Sequence, residues 1–285
     1  VASIYRRNLV SAEAFTSVAN YLYQKMPRDF KVLGDWAFAQ GINHFTFHVS
    51  IHQPADNQPG INTWYGSEFN RNNNWFQEAK TYIDYIRRTS AVLQRGRRQA
   101  DVAIFIGEDV PCDKPSLPYD FPKGYDLDFI NYDALVNLAK VENARLVLPS
   151  GASYRVLVLP PVATMRPELL RKIEEFVKSG LIVYGPRPVQ SPSLMGFPEC
   201  DNKVKLIAGR LWGNIDGKNV LWNSYGKGKV CFGINLDDFL SKAGLEPDVI
   251  SPDDFVYTHR KDGDADIYFI ASQKKEECKT EISFH

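Results

Sequence analysis

Short apolar runs alternate with longer stretches of helical spacing over most of the chain, which is the pattern of strands alternating with helices. A first strand candidate, residues 8–17, places Glu13 where its apolar run stops. Residues 29–40 then have helical spacing, residues 41–50 form a second strand candidate, and residues 75–94 form a long amphipathic helix candidate. These β/α units predict part of a (β/α)8-type barrel.

Polar side chains follow both strand candidates. Glu13 stands at the end of the first. His48, His52 and Gln53 stand at the end of the second. Because catalytic side chains of such barrels sit at the carboxyl ends of the strands, the acid, imidazole and amide groups together indicate part of a carbohydrate-cleaving site. The competing interpretations are that Glu13 is a salt-bridge partner for a helix and that His48 is a semi-buried histidine with satisfied hydrogen bonds.

A long polar and aromatic loop, residues 53–74, separates the second strand candidate from the next helix. It exceeds the about 12 to 15 residues beyond which a loop without secondary structure usually has a function or is disordered. Trp64 and Trp75 offer rings for stacking on sugar faces, and Arg71 offers planar donors for hydroxyl groups. The alternative is that both tryptophans only pin the loop to the barrel.

From residue 101 onward, the order strand, helix, strand, helix, strand with short connections predicts a doubly wound α/β domain. Its glycines do not form a Gly-x-Gly-x-x-Gly turn, so no dinucleotide is expected. The predicted elements are strands 101–107, 145–148, 156–161 and 180–185 and helices 132–141 and 167–179.

Beyond about residue 245 the pattern changes to two short strands, 255–259 and 266–271, joined by a glycine-containing turn. This hairpin predicts the start of a β-sandwich. The first seven residues have the pattern of the last turns of a helix. We therefore divide the chain into three predicted units, which are a carboxyl-terminal part of a barrel (1–100), an α/β domain (101–245) and a β-hairpin that begins a β domain (246–285).

The bulk composition argues against several classes of partner. Lys plus Arg and Asp plus Glu number 34 each, so the charge balance does not favour nucleic acid. No apolar stretch approaches the roughly 20 residues of a membrane span, so no membrane partner is expected. The cysteines form no Cys-x-x-Cys pair, which argues against a zinc or redox motif and predicts free thiols at Cys112, Cys200, Cys231 and Cys278.

The spacing of His44, His48 and His52 would suggest metal ligands on a helix. Here the pattern is strand followed by loop, so a metal site is not the favoured interpretation. His44 lies inside an apolar strand candidate, and we expect it to pack there.

Several segments, in order along nearly the whole chain, resemble glycoside hydrolase family 106, the α-L-rhamnosidases. The resemblance implies the last units of a barrel, then a glutamine-amidotransferase-like (flavodoxin-like) α/β domain. Family members are much longer, so it also implies an internal portion of such a protein. The segments are Ala12-Glu13-Ala14-Phe15-Thr16-Ser17, Gly41-Ile42-Asn43-His44, His48 with His52-Gln53-Pro54, Phe69-Asn70-Arg71 with Trp75, Gly124-Tyr125-Asp126-Leu127-Asp128 and Ser153-Tyr154-Arg155-Val156-Leu157-Val158-Leu159-Pro160.

The resemblance implies an inverting, calcium-dependent hydrolysis of terminal α-L-rhamnosyl linkages in plant or bacterial polysaccharides by a pair of glutamates. Glu13 matches the second member of the pair, which implies the role of general base. The partner acid would lie upstream of Val1, so we expect weak or no hydrolysis from these residues alone. His48, His52 and Arg71 match positions near the sugar. The calcium ligands are not assigned.

The alternative is a non-catalytic scaffold or oligomerisation fragment of a larger glycosidase. About three β/α units cannot close an eight-stranded barrel, so the expected partners, besides a carbohydrate, are the missing part of the same barrel or further copies of the chain. Neither Cys112 nor Cys200 lies in a nucleophile turn, so amidotransferase chemistry is not expected. The family implies a periplasmic or secreted location.

Overall fold

The computed structural model describes residues 1–18, 23–109, 119–252, 254–274 and 276–285. The thiol of Cys112 and the proline-rich stretch around it lie outside these ranges, so the prediction for Cys112 is not addressed. Cys200 and Cys231 are buried free thiols and Cys278 is an exposed one, as predicted. No helix within these ranges has both the length and the apolar character needed to cross a bilayer.

The first segment consists of two β/α units. Pro27 suits the first turn of the first helix, and the Asp29 carboxylate accepts a hydrogen bond from the Met26 backbone N–H at 3.2 Å. Residues 1–7, predicted as the last turns of a helix, form hydrogen-bonded turns, and the Tyr5 N–H donates to the Val1 carbonyl at 3.1 Å, which is the spacing of an α-helical turn. The elements are β1 (Ser11–Ala14), α1 (Pro27–Ala39), β2 (His44–Phe47) and α2 (Lys80–Leu93), with a 3-10 turn at Phe76–Glu78 before α2.

β1 and β2 pair in parallel, with Ser11 opposite His44 and Glu13 opposite Thr46. No other strand in the described ranges pairs with either of them. These two strands have the parallel β/α arrangement predicted for a barrel segment, but they form an open two-stranded sheet rather than a closed barrel.

A six-stranded sheet forms the centre of the second segment. The elements from residue 97 onward are β3 (Arg97–Arg98), β4 (Val102–Phe105), β5 (Leu127–Ile130), β6 (Lys140–Glu142), β7 (Arg145–Val147), β8 (Ser153–Tyr154), β9 (Val156–Val158), α3 (Pro167–Ser179), β10 (Ile182–Tyr184), α4 (Glu199–Trp212), β11 (Trp222–Tyr225), β12 (Gly228–Cys231) and α5 (Leu236–Lys242). The strand order of the sheet is β11-β12-β10-β9-β4-β5, and all neighbouring strands are parallel except the edge strand β11, which is antiparallel to β12.

The central strands are apolar throughout because both faces of the sheet are covered. Every residue of β4 and β9 is buried. Side chains of α3 and α4 form the core on one face, and those of α5 pack on the other. α3 has the predicted bounds, since Pro167 occupies its first turn and Gly180, with φ of +122°, ends it.

Two elements of this segment differ from the prediction. The helix predicted over 132–141 begins at 132 as predicted but ends early, because residues 132–133 are α-helical, Ala134–Leu138 form a π-helix, and β6 begins at Lys140. The strand predicted at 145–148 is β7, which belongs to an antiparallel sheet of order β6-β7-β8 and not to the parallel sheet. The prediction rested on the short apolar run 146–148, and a run of this length occurs in both kinds of sheet.

The predicted hairpin is present and longer than expected. Its strands, β14 (Phe255–Asp262) and β15 (Ala265–Ser272), run eight residues each and meet at a turn through Gly263. β14 also pairs with β3, which precedes residue 100. Phe269 of the hairpin packs edge-on against Phe38 of α1, with ring centroids 5.6 Å apart. The three proposed unit boundaries and the β-sandwich stay predictions. The last strands are β13 (Val249–Ile250), β14 (Phe255–Asp262), β15 (Ala265–Ser272) and β16 (Ser283–Phe284).

A buried ion cluster joins the first segment to the six-stranded sheet. The guanidinium of Arg98, on β3, donates to the Asp128 carboxylate and the Leu127 carbonyl, each at 2.9 Å, and pairs closely with Asp126. Tyr154 donates to the second Asp128 oxygen at 3.0 Å. Burial raises the pKa of Asp126 to about 6, although the charge of Arg98 favours the ionised form. The cluster therefore couples the position of β3 to that of β5.

Candidate active site

The two parallel strands divide their side chains between a polar and an apolar face. Ser11 and Glu13 of β1 lie on the same face as His44 and Thr46 of β2, and all four are exposed. The hydroxyl of Ser11 and Nδ1 of His44 are hydrogen-bonded at 2.8 Å. The sequence predicted that His44 packs in the apolar core, and this prediction is wrong. His44 lies on the same polar face as Glu13.

Glu13 lies near the carboxyl end of β1 with its carboxylate in solvent. Its Oε1 accepts a hydrogen bond from Thr16 Oγ1 at 2.9 Å. In the part of the chain that the structure describes, no Lys, Arg or His forms an ion pair with it. The salt-bridge interpretation of Glu13 is therefore not favoured by these contacts, and the carboxylate is accessible to a ligand.

The long loop of residues 53–74 is held together by its own polar groups. The side-chain amide of Gln53 donates to the Ile61 carbonyl through Nε2 and accepts from the Ile61 N–H through Oε1. The guanidinium of Arg71 donates to the carbonyls of Gln53 and Ala55 and to the Asp56 carboxylate. Arg71 accordingly holds the loop together, and in this structure its guanidinium contacts the loop's own oxygen atoms.

Residues 66–69 bind this loop by hydrogen bonds to the residues that follow β1 and β2. The Gly66 N–H donates to the Ser17 carbonyl at 2.6 Å, and the Ser67 N–H donates to the His48 carbonyl at 2.9 Å. The Ser67 hydroxyl donates to the Phe15 carbonyl at 2.6 Å. The segment therefore bridges the chain that follows Glu13 and the chain that follows β2, and brings the loop to the same end of the sheet.

The other predicted site residues occupy different surroundings. The imidazole of His48 stacks on the Tyr65 ring at 5.6 Å, whereas His52 is exposed. Trp64 is 86% exposed. Trp75 is half-buried, and its indole N–H donates to the Lys25 carbonyl at 2.8 Å. Trp64 is thus free to stack on a ligand, while the contacts of Trp75 are those of a residue that pins the loop.

Glu68 is a candidate residue that the sequence reasoning missed. Its side chain is fully buried, and Oε2 accepts a hydrogen bond from Asn70 Nδ2 at 2.7 Å. Burial raises the pKa of the Glu68 carboxyl, and hydrogen bonds from Thr63 and Asn70, with the charge of His48, offset this only in part. No periodic signal marks Glu68, because it lies in an irregular loop among polar residues.

The residues that the structure describes do not form a metal centre. They contain no group of three or more His, Cys, Asp or Glu side chains suited to hold a metal ion. The side chains present in these ranges therefore do not fit a complete calcium site.

A carboxylate, an imidazole and exposed aromatic rings at the carboxyl ends of parallel β/α strands define a site of the kind that carbohydrate-cleaving barrel enzymes use. The chain belongs to glycoside hydrolase family 106, alpha-L-rhamnosidase, whose family model matches residues 1–285.

Two relatives match the chain along almost its full length. A protein of Formosa agariphila named "Putative beta-glucuronidase" is 37% identical over 285 residues, which are 100% of this chain and 23% of that protein. The solved structure of a rhamnosidase from Novosphingobium sp. PP1Y is 34% identical with a TM-score of 0.83, over 94% of this chain and 26% of that one. The chain thus spans about a quarter of the length of either relative.

A more distant likeness concerns the fold alone. The beta-galactosidase from Bacillus circulans sp. alkalophilus is 12% identical with a TM-score of 0.54, over 87% of this chain and 46% of that one. The mixed α/β architecture is therefore shared with glycosidases of another family.

Proposed function

We propose that this chain carries the general-base side of an inverting α-L-rhamnosidase site and that Glu13 is the base. Terminal α-L-rhamnosyl linkages in polysaccharides are the proposed substrate. The carboxylate of Glu13 would take a proton from water as that water attacks the anomeric carbon. In such a pair the two carboxyl groups lie about 6.5–9.5 Å apart, which leaves room for the water.

The position of Glu13 carries this proposal. Its carboxylate is solvent-accessible at the carboxyl end of a parallel strand, and the chain that follows it is bonded to the loop bearing Trp64 and Tyr65. The hydrogen bond from Thr16 leaves one carboxylate oxygen for a water molecule. Trp64 supplies the exposed ring for a sugar face, and His48 and His52 supply imidazoles for its hydroxyls.

The open β1–β2 sheet supports a second part of the proposal. Unpaired edges of parallel strands require partners, and we propose that further strands of the same polypeptide complete the barrel and supply the general acid. The alternatives are a homo-oligomer of this chain or a non-catalytic scaffold fragment. We also propose a calcium requirement and a periplasmic or secreted location, both of which rest on the family alone.

The test is hydrolysis of an aryl α-L-rhamnoside by the longest natural polypeptide that contains this chain, with product stereochemistry followed by NMR. Glu13→Gln should lower kcat by about 10²–10⁴-fold, as expected for loss of a general base. Glu78→Gln is the matched control, because Glu78 is an exposed glutamate on the 3-10 turn before α2.

Each outcome of this assay supports or contradicts one part of the proposal. Full activity in Glu13→Gln would contradict the assignment of the base, and retention of anomeric configuration would contradict the inverting mechanism. Absence of turnover in the unsubstituted polypeptide would favour the scaffold alternative. Loss of turnover in EDTA, restored by calcium, would support the metal requirement.

A further inference from the structure

A cavity of about 1070 Å³ lies at the amino ends of β1 and β2, opposite to Glu13. Val10 and Gly41, which precede the two strands, line it, whereas the loop of residues 53–74 is bonded to the carboxyl ends. The cavity is therefore separate from the candidate active site. Its volume is at the upper limit of the about 300–1,000 Å³ that small-molecule pockets have.

Segments that are far apart in the chain form the walls of this cavity. Residues 1–10, residues 121–129 and the first half of β14 all contribute to the lining. β3 pairs with β14, and Arg98 of β3 forms ion pairs with two carboxylates of the wall at β5. A sheet and a buried ion cluster thus hold the walls in place, so the cavity is preformed.

The lining is strongly cationic, although the chain as a whole carries no net charge. Six cationic and two acidic side chains line the cavity, and both acidic ones, Asp126 and Asp128, already pair with Arg98. Such an excess of positive charge in a cleft attracts an anionic ligand. The cationic side chains are those of Arg6, Arg7, Arg97, Arg98, Lys123 and Arg260.

Three of these arginines are accessible to a ligand. Arg6, Arg7 and Arg97 are exposed, and none of them forms an ion pair with a carboxylate in the described part of the chain. The guanidinium of Arg97 lies against Gly151, where a Cβ atom would come within 2.6 Å of Arg97 Cζ. Guanidinium groups offer planar sets of donors that suit the oxygen atoms of carboxylates and other oxyanions.

The same cavity also presents aromatic rings and amides. Phe121 and Phe255 are half-buried, so part of each ring is open to the cavity, and Asn8 and Gln40 add side-chain amides that can bond hydroxyl groups. A simple inorganic anion would use neither the rings nor the amides. The combination fits an acidic sugar, which has anionic groups, hydroxyls and the apolar faces of its rings.

We propose that this cavity binds an oligosaccharide that carries carboxylate or sulfate groups. Arg6, Arg7 and Arg97 hold the anionic groups, and Phe121 and Phe255 contact the sugar rings. The choice of a carbohydrate rests on the proposed function, whereas the charge of the ligand rests on the cavity alone. The site takes no part in the hydrolysis, because Glu13 lies at the opposite ends of the strands; it adds affinity for acidic polysaccharides.

Isothermal titration calorimetry on the longest natural polypeptide that contains this chain tests the proposal. The probes are tetragalacturonate, a sulfated carrageenan tetrasaccharide and neutral cellotetraose. We expect at least one acidic probe to bind and cellotetraose not to bind at the same concentration. The Kd of the acidic probe should rise with NaCl concentration, because salt screens the attraction. The difference between the two acidic probes identifies the preferred anionic group.

Substitutions locate the bound probe. Arg6→Gln and Arg97→Gln should each raise the Kd about three- to tenfold, the size of a partly exposed charge-assisted contact, and Arg6→Lys should raise it less because it keeps the charge. Arg88→Gln is the matched control, because Arg88 is exposed on α2 and does not line the cavity. Glu13→Gln should leave the Kd unchanged. Unchanged Tm values show that the variants are folded, and Arg6→Gln decides if Arg97→Gln lowers the Tm.

Several results would overturn the proposal. They are absence of binding of both acidic probes, equal affinity for cellotetraose, and an unchanged Kd in the arginine variants. Loss of binding in Glu13→Gln would place the probe in the candidate active site. A hexaglutamate peptide that binds more tightly than both acidic oligosaccharides would assign the cavity to an acidic polypeptide segment instead.

The titration also separates this proposal from the proposed function. Binding is measured without turnover, so the titration decides about the cavity even if the polypeptide hydrolyses no rhamnoside. Rhamnoside hydrolysis without binding of the acidic probes would leave the proposed function standing and remove the second site.

Discussion

His259 forms a pH-dependent contact between the hairpin and the segment before β13. Its Nδ1 is 3.2 Å from an Asp248 carboxylate oxygen, and its Nε2 is 2.9 Å from one of Asp266. The ring also stacks on Tyr268 at 4.1 Å, and the His259 side chain is 9% exposed. Because both ring nitrogens face carboxylates, both bonds require the protonated imidazolium.

The shift of the His259 pKa has two opposing causes. Burial alone would lower the pKa, but the hydrogen bonds and charges of Asp248 and Asp266 outweigh burial and raise it. A raised folded-state pKa means that the stabilisation is fully present below the unfolded value of about 6.5 and is lost as the pH rises through the folded value. His259 therefore stabilises the fold most at mildly acidic pH.

The magnitude follows from the better-buried bond. A hydrogen bond to a charged group contributes about 1.5–3 kcal/mol. We count only the bond to Asp248, because the Asp266 carboxylate is more exposed and solvent screens its interaction with His259. His259→Gln should thus cost about 2 kcal/mol at pH 6 and much less at pH 9. At about 2 °C per kcal/mol for a chain of this size, the Tm should fall by about 4 °C at the lower pH.

Thermal denaturation followed by circular dichroism at the two pH values measures this difference. The matched control is His285→Gln, because His285 is exposed and its Nδ1 lies 4.0 Å from the Glu246 carboxylate. The quantity of interest is the change in Tm between wild type and variant at pH 6 minus that at pH 9. An equal change at both pH values would refute the reasoning, since it would mean that His259 contributes only as a neutral packed ring.

Two further predictions concern the loop and the buried ion cluster. Trp64→Ala should raise KM for a rhamnoside in kinetic assays and leave the Tm unchanged. Trp75→Ala should lower the free energy of unfolding by about 3 kcal/mol in calorimetry. The reverse pair of results would mean that Trp75 binds the sugar and Trp64 pins the loop. Arg98→Met should cost about 3 kcal/mol in urea denaturation, because it leaves Asp126 buried without its cation. The exposed Arg88→Met is its control, and equal losses in both variants would contradict the cluster's role.

The sequence alone determined those elements whose start, apolar pattern and end are all marked by residues within or next to the element. α3 combines an apolar stripe at helical spacing with Pro167 at its start and Gly180 after its end, and its bounds were predicted correctly. The hairpin was located by two short alternating strands around the turn at Gly263. The placement of Glu13 at the end of a strand was also readable, because a single acid interrupted an apolar run.

Tertiary structure decided which strands pair and which polar groups are buried. β7 lies in a short apolar run like those of the parallel strands, yet it pairs antiparallel with β6 and β8. The burial of Glu68 likewise depends on residues 66–69 lying between the ends of β1 and β2. Strand pairing and the desolvation of a loop carboxyl arise from contacts between residues far apart in the chain, and such contacts leave no periodic pattern in the residues that make them.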